Sequence, residues 1–379
     1  MLNNMKILIL NDYYEGGVYF YRILEPFYFL AEKYDLDIYM SSPLSVKLET
    51  MKTFDVIVMK NCVYNTQQQI LFWRNIHECK ENGIKIIYDV DDYWNLPAKH
   101  PLKEGYDHAS MPMKIITNIR LADLVWVTTP KLMEYIQKYN DNVVIVPNAI
   151  DPSLIDVNKT ESDKIRIGIA GSSTHAEDYN QIRTIFKKLG KRYIDKVQIV
   201  LCGYSESGKL QYIDQSGNIM KEETLSGKNF YWQKLKSDLS GNGKVDIVTV
   251  PSMDICGSIK DKTLKPNEYF NIFNDIDILI APLEDNEFNM CKSNLKFIEA
   301  GFTNTAIVAS NIGEYSLFSN DINCILCGRQ DWIGAIKDLV DNPEKMKFIS
   351  DNLHDLVVDE YNLEKINKIR WESICRLVK

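Results

Sequence analysis

The chain has 379 residues, of which 45% are apolar and 25% are charged. This length suggests two domains, and the composition is that of an ordinary soluble globular protein. It excludes a disordered chain, a fibrous repeat and a miniprotein held together by disulfides. Because 52 acidic residues face 44 basic ones, the net charge of -8 repels polyphosphate at long range, and nucleic acid is not an expected partner.

Hydropathy and cysteine usage indicate the compartment. No apolar run reaches the roughly 18 residues that a membrane-spanning helix needs, and residues 1–10 are too short and too polar for a secretory signal. We therefore expect a cytoplasmic protein without a transmembrane segment, with peripheral contact at the inner face of the membrane left open. The eight cysteines are scattered, which favours buried thiols over a disulfide framework. Cys324 and Cys327 form a C-x-x-C motif with no second pair or flanking His, so we interpret them as part of a strand and not as a zinc site.

In the first half of the chain, short apolar runs alternate with segments of helical period. This alternation predicts a parallel sheet with helices on both faces. The predicted strands are 6–10, 36–40, 55–59, 85–90, 124–128 and 143–146. Between them, residues 67–81 carry Ile70, Trp73 and Ile76 at the spacing of one helix face, and Gly83 stands where helices commonly end.

The polar segment 156–164 has little to bury and predicts a linker, after which the alternation restarts. Strands are predicted at 165–170, 197–201, 246–250, 276–281 and 306–310. We therefore expect an N-terminal Rossmann-like domain over 1–160 and a second over 161–355, facing each other across a cleft at the carboxyl ends of their strands. Glycines and lysines in 205–243 predict an inserted hairpin plus helix, and residues 356–379 predict a helix that packs back on the N-terminal domain.

The strongest local pattern runs from 275 to 310 and predicts a strand, a loop, a helix and a strand. Lys292 and Ser293 fall at the predicted helix start, where free N–H groups and the helix dipole favour an anion such as a diphosphate. Glu299 follows two turns later on the same face, where its carboxylate can accept paired hydrogen bonds from ribose hydroxyls. The alternative is a capped amphipathic helix with Leu295 and Ile298 in the core.

This segment resembles the nucleotide-sugar signature of the GT-B glycosyltransferases, in particular the retaining family-4 type (glycosyl transferases group 1). The resemblance implies that Glu299 contacts the nucleotide ribose. The family commonly has another Glu eight residues earlier, which contacts the transferred sugar, where this chain has Cys291. Residues 288–293 resemble a subgroup with Lys-Ser in place of the usual elements, so phosphate binding by Lys292 and Ser293 is implied and the sugar stays open.

Other segments resemble the same family. Residues 128–132 and 144–151 are similar to the end of its N-terminal domain, where a Pro-Asn turn leads to the hinge. Residues 166–175 are similar to the first strand and loop of its C-terminal domain. Gly16 and Gly17 resemble its glycine-rich loop, which lies under the donor and the acceptor. The donor-binding residues that the pattern and the resemblance imply are Gly16, Gly17, Gly171, Ser172, Ser173, His175, Asn289, Lys292, Ser293, Leu295 and Glu299.

The run from Tyr88 to Trp94 ends a predicted strand at the edge of the cleft and carries three carboxylates. In relatives a His near this point touches the sugar, so Asp89 and Asp92, together with Lys292, are the expected catalytic residues. Arg22, Tyr93 and His100 are the expected acceptor contacts. Although a D-x-D-D pattern suggests a metal, GT-B enzymes generally hold phosphates with helix ends and basic groups, so we expect no metal site and no essential cofactor.

The fold class expected is α/β, with two Rossmann-like doubly wound domains facing a cleft. The resemblance implies an enzyme that moves a sugar from a nucleotide-diphosphate-sugar donor to a hydroxyl of a glycan, lipid-linked or protein acceptor, with retention, in bacterial surface glycan or glycoconjugate synthesis. The alternatives are a GT-B-like epimerase, an inverting transferase with Asp89 or His100 as general base, and a non-catalytic sugar-nucleotide or glycan-binding subunit. A fourth is an assembly partner built around the insertion.

Overall fold

The computed structural model describes residues 5–11, 16–213, 219–226, 230–241, 243–251, 257–258, 263–264, 268–328 and 331–379. It contains two six-stranded sheets in which every pairing is parallel. This confirms the α/β class and the two doubly wound sheets expected from the sequence. None of the helices in these ranges is long and apolar enough to cross a membrane.

The first sheet has the order β2-β1-β3-β4-β5-β6. Its strands lie within one residue of the predicted ones and are β1 Lys6–Asn11, β2 Asp37–Ser41, β3 Val56–Lys60, β4 Lys85–Val90, β5 Leu124–Val127 and β6 Val143–Ile145. The helical segments of this half are Gly16–Tyr19, the π-helical turn Phe20–Leu24, Glu25–Tyr34, Leu48–Met51, Thr66–Glu81, Lys103–His108, Met111–Leu121 and Pro130–Ile136. Because helices cover both faces, the central strands are buried throughout.

The second sheet has the order β11-β8-β7-β14-β15-β16. The strands of this half are β7 Ile165–Ala170, β8 Val197–Tyr204, β9 Ser207–Ile213, β10 Ile219–Ser226, β11 Asp246–Pro251, β12 Gly257–Ser258, β13 Thr263–Leu264, β14 Ile278–Ala281, β15 Ala306–Ser310 and β16 Ile325–Cys327. Its α-helices are Lys191–Ile194, Tyr231–Leu239, Glu287–Met290, Leu295–Phe302, Trp332–Asp341, Pro343–Glu360 and Leu363–Val378. Short 3-10 turns occupy Pro152–Leu154, Ser173–His175, Asp178–Gln181, Ile185–Lys188, Glu268–Asp275 and Gly313–Leu317.

The segment 205–243 divides into two parts. Strands β9 and β10 pair as an antiparallel hairpin that stands apart from the main sheet. The helix Tyr231–Leu239, in contrast, buries Trp232, Leu235 and Leu239 in the core beside β8. Only the hairpin is therefore an addition, since the helix is the ordinary crossover between the neighbouring strands β8 and β11.

One residue of a predicted helix face is wrong, because Ile76 is buried and Trp73 packs against the core, but Ile70 is exposed. In the helix Thr66–Glu81 the buried residues are Gln69, Phe72, Ile76 and Cys79, whereas Ile70 is 58% exposed. Residues 69, 72, 76 and 79 follow the 3.6-residue period, and Ile70 lies about 100° around the axis from Gln69. The end of the helix is as expected, because Gly83 has a φ of 85°.

The linker 156–164 is anchored to the second half. Lys159 Nζ donates to Phe273 O at 2.9 Å, Ile276 O at 2.5 Å and Thr305 Oγ1 at 2.7 Å. Burial lowers the pKa of this ammonium to about 8. The expectation that this polar segment has little to bury is therefore wrong at Lys159, whose aliphatic stem and three hydrogen bonds fix it to the protein.

The end of the chain returns to the first half. The predicted single helix 356–379 is broken at Tyr361–Asn362, where Ile150 N donates to Tyr361 O and Leu363 N donates to Ile150 O. The last helix then lies on the first half, where Trp126 Nε1 donates to Ser373 Oγ at 2.9 Å and Trp371 stacks on Tyr34 with ring centroids 4.4 Å apart. Two chain crossings, at 150 and at 362, thus lie side by side.

A buried carboxyl lies at this double crossing. Glu25 Oε1 accepts a hydrogen bond from Asp151 N at 2.5 Å, and Glu25 Oε2 has no hydrogen-bond partner among the described residues. Burial raises the pKa of Glu25 to about 8. Arg370, buried nearby, has its own pKa lowered to about 9 by burial. Glu25 is therefore protonated in the folded protein at pH values where it ionises in the unfolded chain.

Glu25→Gln should flatten the dependence of stability on pH. A carboxyl whose pKa is raised on folding stabilises the fold at low pH, and that contribution is lost as the pH rises from about 5 to about 8. The variant keeps an oxygen for Asp151 N and has no charge to bury, so its loss of unfolding free energy over that interval should be smaller than that of the wild type by more than about 1 kcal/mol. Denaturant unfolding at a series of pH values measures this. Equal slopes in Glu25→Gln, wild type and the control Glu32→Gln, which alters an exposed carboxylate on the same helix, would contradict it.

Candidate functional site

Three charged side chains are buried together at the carboxyl ends of β1, β3 and β4. Asp89, on β4, receives Arg22 Nη2 at 2.6 Å, Arg22 Nε at 3.1 Å and Lys60 Nζ at 2.9 Å. Each of these side chains is at most 1% exposed. Despite burial, these two cations hold the pKa of Asp89 far below its ordinary value. Arg22 is aimed inward by the π-helical turn Phe20–Leu24, a local widening that is frequent at functional sites.

This buried cluster reaches the second half of the chain through Arg22. Arg22 Nη1 donates to Val146 O at 2.7 Å and to Asn148 Oδ1 at 3.2 Å. Asn148 Nδ2 in turn donates to Ser293 Oγ at 2.9 Å. The Pro-Asn turn is thus tied on one side to Asp89 and on the other to the segment that carries Lys292.

The segment 286–302 presents Lys292 and Ser293 just before its second helix. Asn286 caps the short helix Glu287–Met290, and the helix Leu295–Phe302 begins only after Asn294. The prediction that Lys292 and Ser293 open the helix is therefore wrong by two residues. Thr129 Oγ1 donates to Cys291 O at 3.0 Å and thereby holds this turn against the first half. Lys292 Nζ lies 3.7 Å from Asp92 and 4.6 Å from the ring centre of Phe288.

A cavity of about 460 Å³ lies between the two sheets at the carboxyl ends of their strands, within the size range of small-molecule sites. Its lining includes three cations, Arg22, Lys292 and Lys296, and three carboxylates, Asp91, Asp92 and Glu299, with hydroxyls from Ser172, Thr174 and Ser293. Its walls come from both halves of the chain. Lys292, Lys296 and the hydroxyls offer donors to a negatively charged ligand, and Glu299 offers an acceptor.

Glu299 is a buried residue in the lining of this large cavity. Its Oε1 accepts a hydrogen bond from Tyr21 Oη at 3.0 Å, across the two halves, and its Oε2 accepts one from Lys296 Nζ at 2.8 Å. Lys296 also donates to Tyr269 Oη at 3.2 Å. A carboxylate has about four lone-pair positions, so two bonds leave Glu299 able to accept from a ligand. Burial and the charge of Glu299 raise the pKa of Tyr21 well above its ordinary value, so the phenol stays protonated.

A histidine and a carboxylate form a fixed pair beside the glycine turn. His175 Nδ1 lies 2.8 Å from Asp178 Oδ2. The other oxygen of Asp178 accepts from Glu284 N at 2.8 Å and from Asn289 Nδ2 at 2.7 Å. Burial, followed by the charge of Lys292 among the lowering causes, lowers the pKa of His175 even though Asp178 opposes the shift. A neutral imidazole that donates from Nδ1 offers Nε2 as an acceptor.

A second, smaller cavity of about 190 Å³ adjoins the first. The two cavities share Asp92, Thr174, His175 and Lys292. The small cavity is otherwise lined by the segment 93–106 of the first half and by residues 177–178 and 284–289 of the second. His100 and Tyr93 lie on its wall, with the His100 ring 5.6 Å from Phe288 and Tyr93 4.4 Å from Tyr135.

Most of the sequence-predicted residues converge on these two cavities. The residues that line the large one are Gly17, Arg22, Asp92, Gly171, Ser172, His175, Lys292, Ser293, Leu295 and Glu299, and those that line the small one include Asp92, Tyr93, His100, His175, Asn289 and Lys292. The large cavity also receives Tyr21, Asn148, Lys296 and Tyr269, which the sequence analysis did not single out. Lys296 carried a usable signal, since it stands three residues before Glu299 on one helix.

Several expected contacts take a different form. Asp89 is bonded to Arg22 and Lys60 and lines neither of the two cavities, and Arg22 lines the large cavity while it is bonded to Asp89, Val146 and Asn148. Gly16 begins the helix Gly16–Tyr19, and Ser173 is exposed and lines neither of these two cavities. Asn289 lines only the small cavity, where it holds Asp178.

Packing, as well as the lining of the cavity, requires a glycine at position 171. A Cβ on Gly171 would lie 2.4 Å from Tyr179 Oη, and a Cβ on Gly203 would lie 2.3 Å from Gly171 O. Gly203 also has a φ of 82°, which disfavours any side chain. The two turns therefore pack directly on each other beneath the large cavity. Among the described residues no group of three or more His, Cys, Asp or Glu side chains is placed to hold a metal ion.

Solved structures with the same arrangement of sheets are known. HepE of Anabaena in complex with UDP-glucose has a TM-score of 0.64 and 13% identity over 99% of this chain and 100% of that one. Sucrose-phosphate synthase of Thermosynechococcus elongatus has a TM-score of 0.65 and 13% identity over 99% of each chain. A glycosyltransferase from Rickettsia africae has a TM-score of 0.63 and 15% identity over 100% of this chain and 99% of that one. No protein-family model and no curated protein matches the sequence.

This chain has the GT-B fold. Each of these similarities spans nearly the whole of both chains, so the fold is shared from end to end. At 13–15% identity the likeness concerns the fold, and the chemistry rests on the residues described above.

Asp89→Ala should destabilise the protein strongly. Removing the carboxylate leaves Arg22 as a buried charge without an anionic partner and leaves Lys60 with Asp91 alone, and breaking a buried pair in this way typically costs about 3–5 kcal/mol. Asp107→Ala is the matched control, because its ion pair with Lys103 is half exposed and exposed pairs contribute about 0–1 kcal/mol. Denaturant unfolding of both variants measures the difference. Equal losses of stability in the two would show that the buried cluster does not hold the first sheet together.

Proposed function

We propose that this protein is a glycosyltransferase that moves a sugar from a nucleoside-diphosphate sugar to a hydroxyl group of an acceptor. One observation carries the proposal: the cavity between the two sheets gathers Lys292, Lys296 and the hydroxyl of Ser293 opposite a wall from the other half of the chain. The GT-B fold and the complexes of HepE with UDP-glucose and with UDP support the same function.

The cations act on the leaving group. As the bond between the sugar and the diphosphate breaks, negative charge grows on the phosphate oxygens. Lys292 and the Ser293 hydroxyl, held by Asn148 and Thr129 through the segment 291–293, are already in position to stabilise that charge. Such preorganised electrostatic stabilisation is usually the largest single contribution to catalysis. Because these cations carry the charge of the phosphates, the proposal needs no metal ion or other cofactor.

Glu299 is proposed to hold the nucleoside. Its remaining lone pairs can accept hydrogen bonds from two ribose hydroxyls, while Tyr21 and Lys296 fix the carboxylate. Tyr21 belongs to the first half of the chain and Glu299 to the second. A ribose bound to Glu299 is therefore next to a hydrogen bond that spans the cleft. Nucleotide binding is thereby linked to the packing of the two halves.

We further propose that transfer proceeds with retention, as in the family-4 type that the sequence resembles. The buried ion pairs of Asp89 with Arg22 and Lys60 argue against Asp89 as the general base of an inverting reaction. In the retaining reaction the leaving phosphate takes the proton of the acceptor hydroxyl on the same face of the sugar. The acceptor, following the resemblance, belongs to bacterial surface glycan or glycoconjugate synthesis, and the enzyme to the cytoplasm.

A second candidate is a non-catalytic subunit that binds a nucleotide sugar. Cys291 favours it, because this position commonly carries a sugar-contacting Glu in the family, and here the thiol is fully buried. Burial also raises the pKa of Cys291 to about 12, so it offers no thiolate to a substrate. Slow hydrolysis of UDP-glucose to UDP and free glucose, assayed without any acceptor, separates an enzyme from a binding subunit.

Lys292→Ala should weaken UDP binding by about tenfold or more, because a charge-assisted hydrogen bond to phosphate contributes about 1.5–3 kcal/mol. Lys347→Ala, which removes a lysine with a 74% exposed side chain on the helix Pro343–Glu360, should leave UDP binding unchanged. Titration calorimetry with UDP measures both, and thermal unfolding without UDP checks that both variants are folded. Unchanged affinity in Lys292→Ala would remove the site assignment.

A further inference from the structure

The small cavity differs from the large one in charge. Its lining includes four carboxylates, those of Asp92, Glu177, Asp178 and Glu284. Lys292 is the single lysine or arginine among the described residues that line it. Burial, followed by the charge of Lys292, lowers the pKa of His100, and burial likewise lowers that of His175, so neither imidazole adds a full positive charge near pH 7. The carboxylates therefore outnumber the cations by three.

The remaining surface of the small cavity is largely apolar. Apolar surface comes from Tyr93, Leu96, Phe288, Tyr106 and the exposed Leu102. Aromatic rings next to carboxylates suit a sugar, since the rings pack on its C–H faces while carboxylate oxygens accept hydrogen bonds from its hydroxyls. A second phosphate would meet net negative charge and apolar surface here, without its own cation.

The position of the small cavity fits a second substrate. It joins the large cavity at Asp92, Thr174, His175 and Lys292, the end at which the diphosphate is proposed to leave the sugar. Its volume of about 190 Å³ is less than half that of the large cavity and suits a small group such as one sugar ring.

We propose that the small cavity is the acceptor site and that it accepts an uncharged, hydroxyl-rich group, a single sugar ring without phosphate or carboxylate. This inference rests on the proposed function, because it supplies the acceptor for that transfer. It also separates this chain from two proteins of the same fold that are named for phosphorylated sugars, sucrose-phosphate synthase and trehalose-phosphate synthase. The anionic ligand goes to the large cavity and the neutral one to the small cavity.

Crystals of the protein grown with UDP and soaked with glucose or with glucose 6-phosphate, at equal concentration, test the inference directly. We expect UDP in the large cavity in both soaks, glucose in the small cavity, and no glucose 6-phosphate there. Glucose 6-phosphate in the small cavity, or neither sugar in it while UDP is bound, would overturn the inference and leave the proposed function standing. Absence of UDP from the large cavity would instead overturn the proposed function.

A charge-reversing variant tests the cause of the selectivity in solution. Glu177 lies on the small-cavity wall, and Glu177→Lys should improve the binding of glucose 6-phosphate relative to glucose by about tenfold, by removing one repelling charge and adding an attracting one. Glu81→Lys makes the same change at a 65% exposed position on the helix Thr66–Glu81 and should leave the ratio as in the wild type. Saturation-transfer NMR in the presence of UDP gives the two affinities. An unchanged ratio in Glu177→Lys, or an equal shift in Glu81→Lys, would show that the carboxylates of the cavity do not select the acceptor.

Discussion

The carboxylate of Asp89 is the point on which the cleft depends. A buried ion pair is stable only if its charges and donors are matched, and here Asp89 pairs with Arg22 and with Lys60, while Asp91 supplies a second carboxylate to Lys60. The guanidinium of Arg22 has donors left over, and these fix Val146 O and Asn148. Asn148 in turn donates a hydrogen bond to Ser293. The position of the proposed phosphate-binding segment therefore depends on a charge buried in the other half of the molecule.

The charged residues that line the two cavities also differ, and this difference favours a different ligand in each. In the large cavity three cations are balanced by three carboxylates, whereas in the small one four carboxylates accompany a single lysine, Lys292, which lines both cavities. The small cavity is therefore the less favourable of the two for an anion. The bond between Tyr21 and Glu299 then joins the two halves under the large cavity, where a nucleoside is proposed to bind.

The sequence predicted the sheets well because their signals are local. Each parallel strand is a short apolar run, and a helix on either side repeats its own period, so the strands of the two main sheets were placed to within a few residues. Lys292, Ser293 and Glu299, which line the large cavity, stand within one segment, and the family resemblance of that segment singled them out together. The error at Ile70 shows the limit, because three apolar residues at helical spacing do not reveal which neighbouring face is covered.

What the sequence could not supply is the pairing of distant residues. From the sequence alone Asp89 is expected to be an exposed acid at the end of a strand. In the fold it is buried by two distant residues, Arg22, 67 positions earlier, and Lys60, 29 positions earlier. Tyr21 has no local signal at all, since its partner Glu299 is 278 positions away. The charge difference between the two cavities depends on segments 92–106, 174–178 and 284–292 coming together, which only the packed structure establishes.

Hydrogen–deuterium exchange with and without UDP tests the central claim most directly, because it reads both halves of the chain in one measurement. UDP should slow exchange together in 17–22, in 171–175 and in 292–299, three of the segments that line the large cavity. Slower exchange in only one half, or at a surface away from these segments, would contradict a diphosphate site formed between the two sheets.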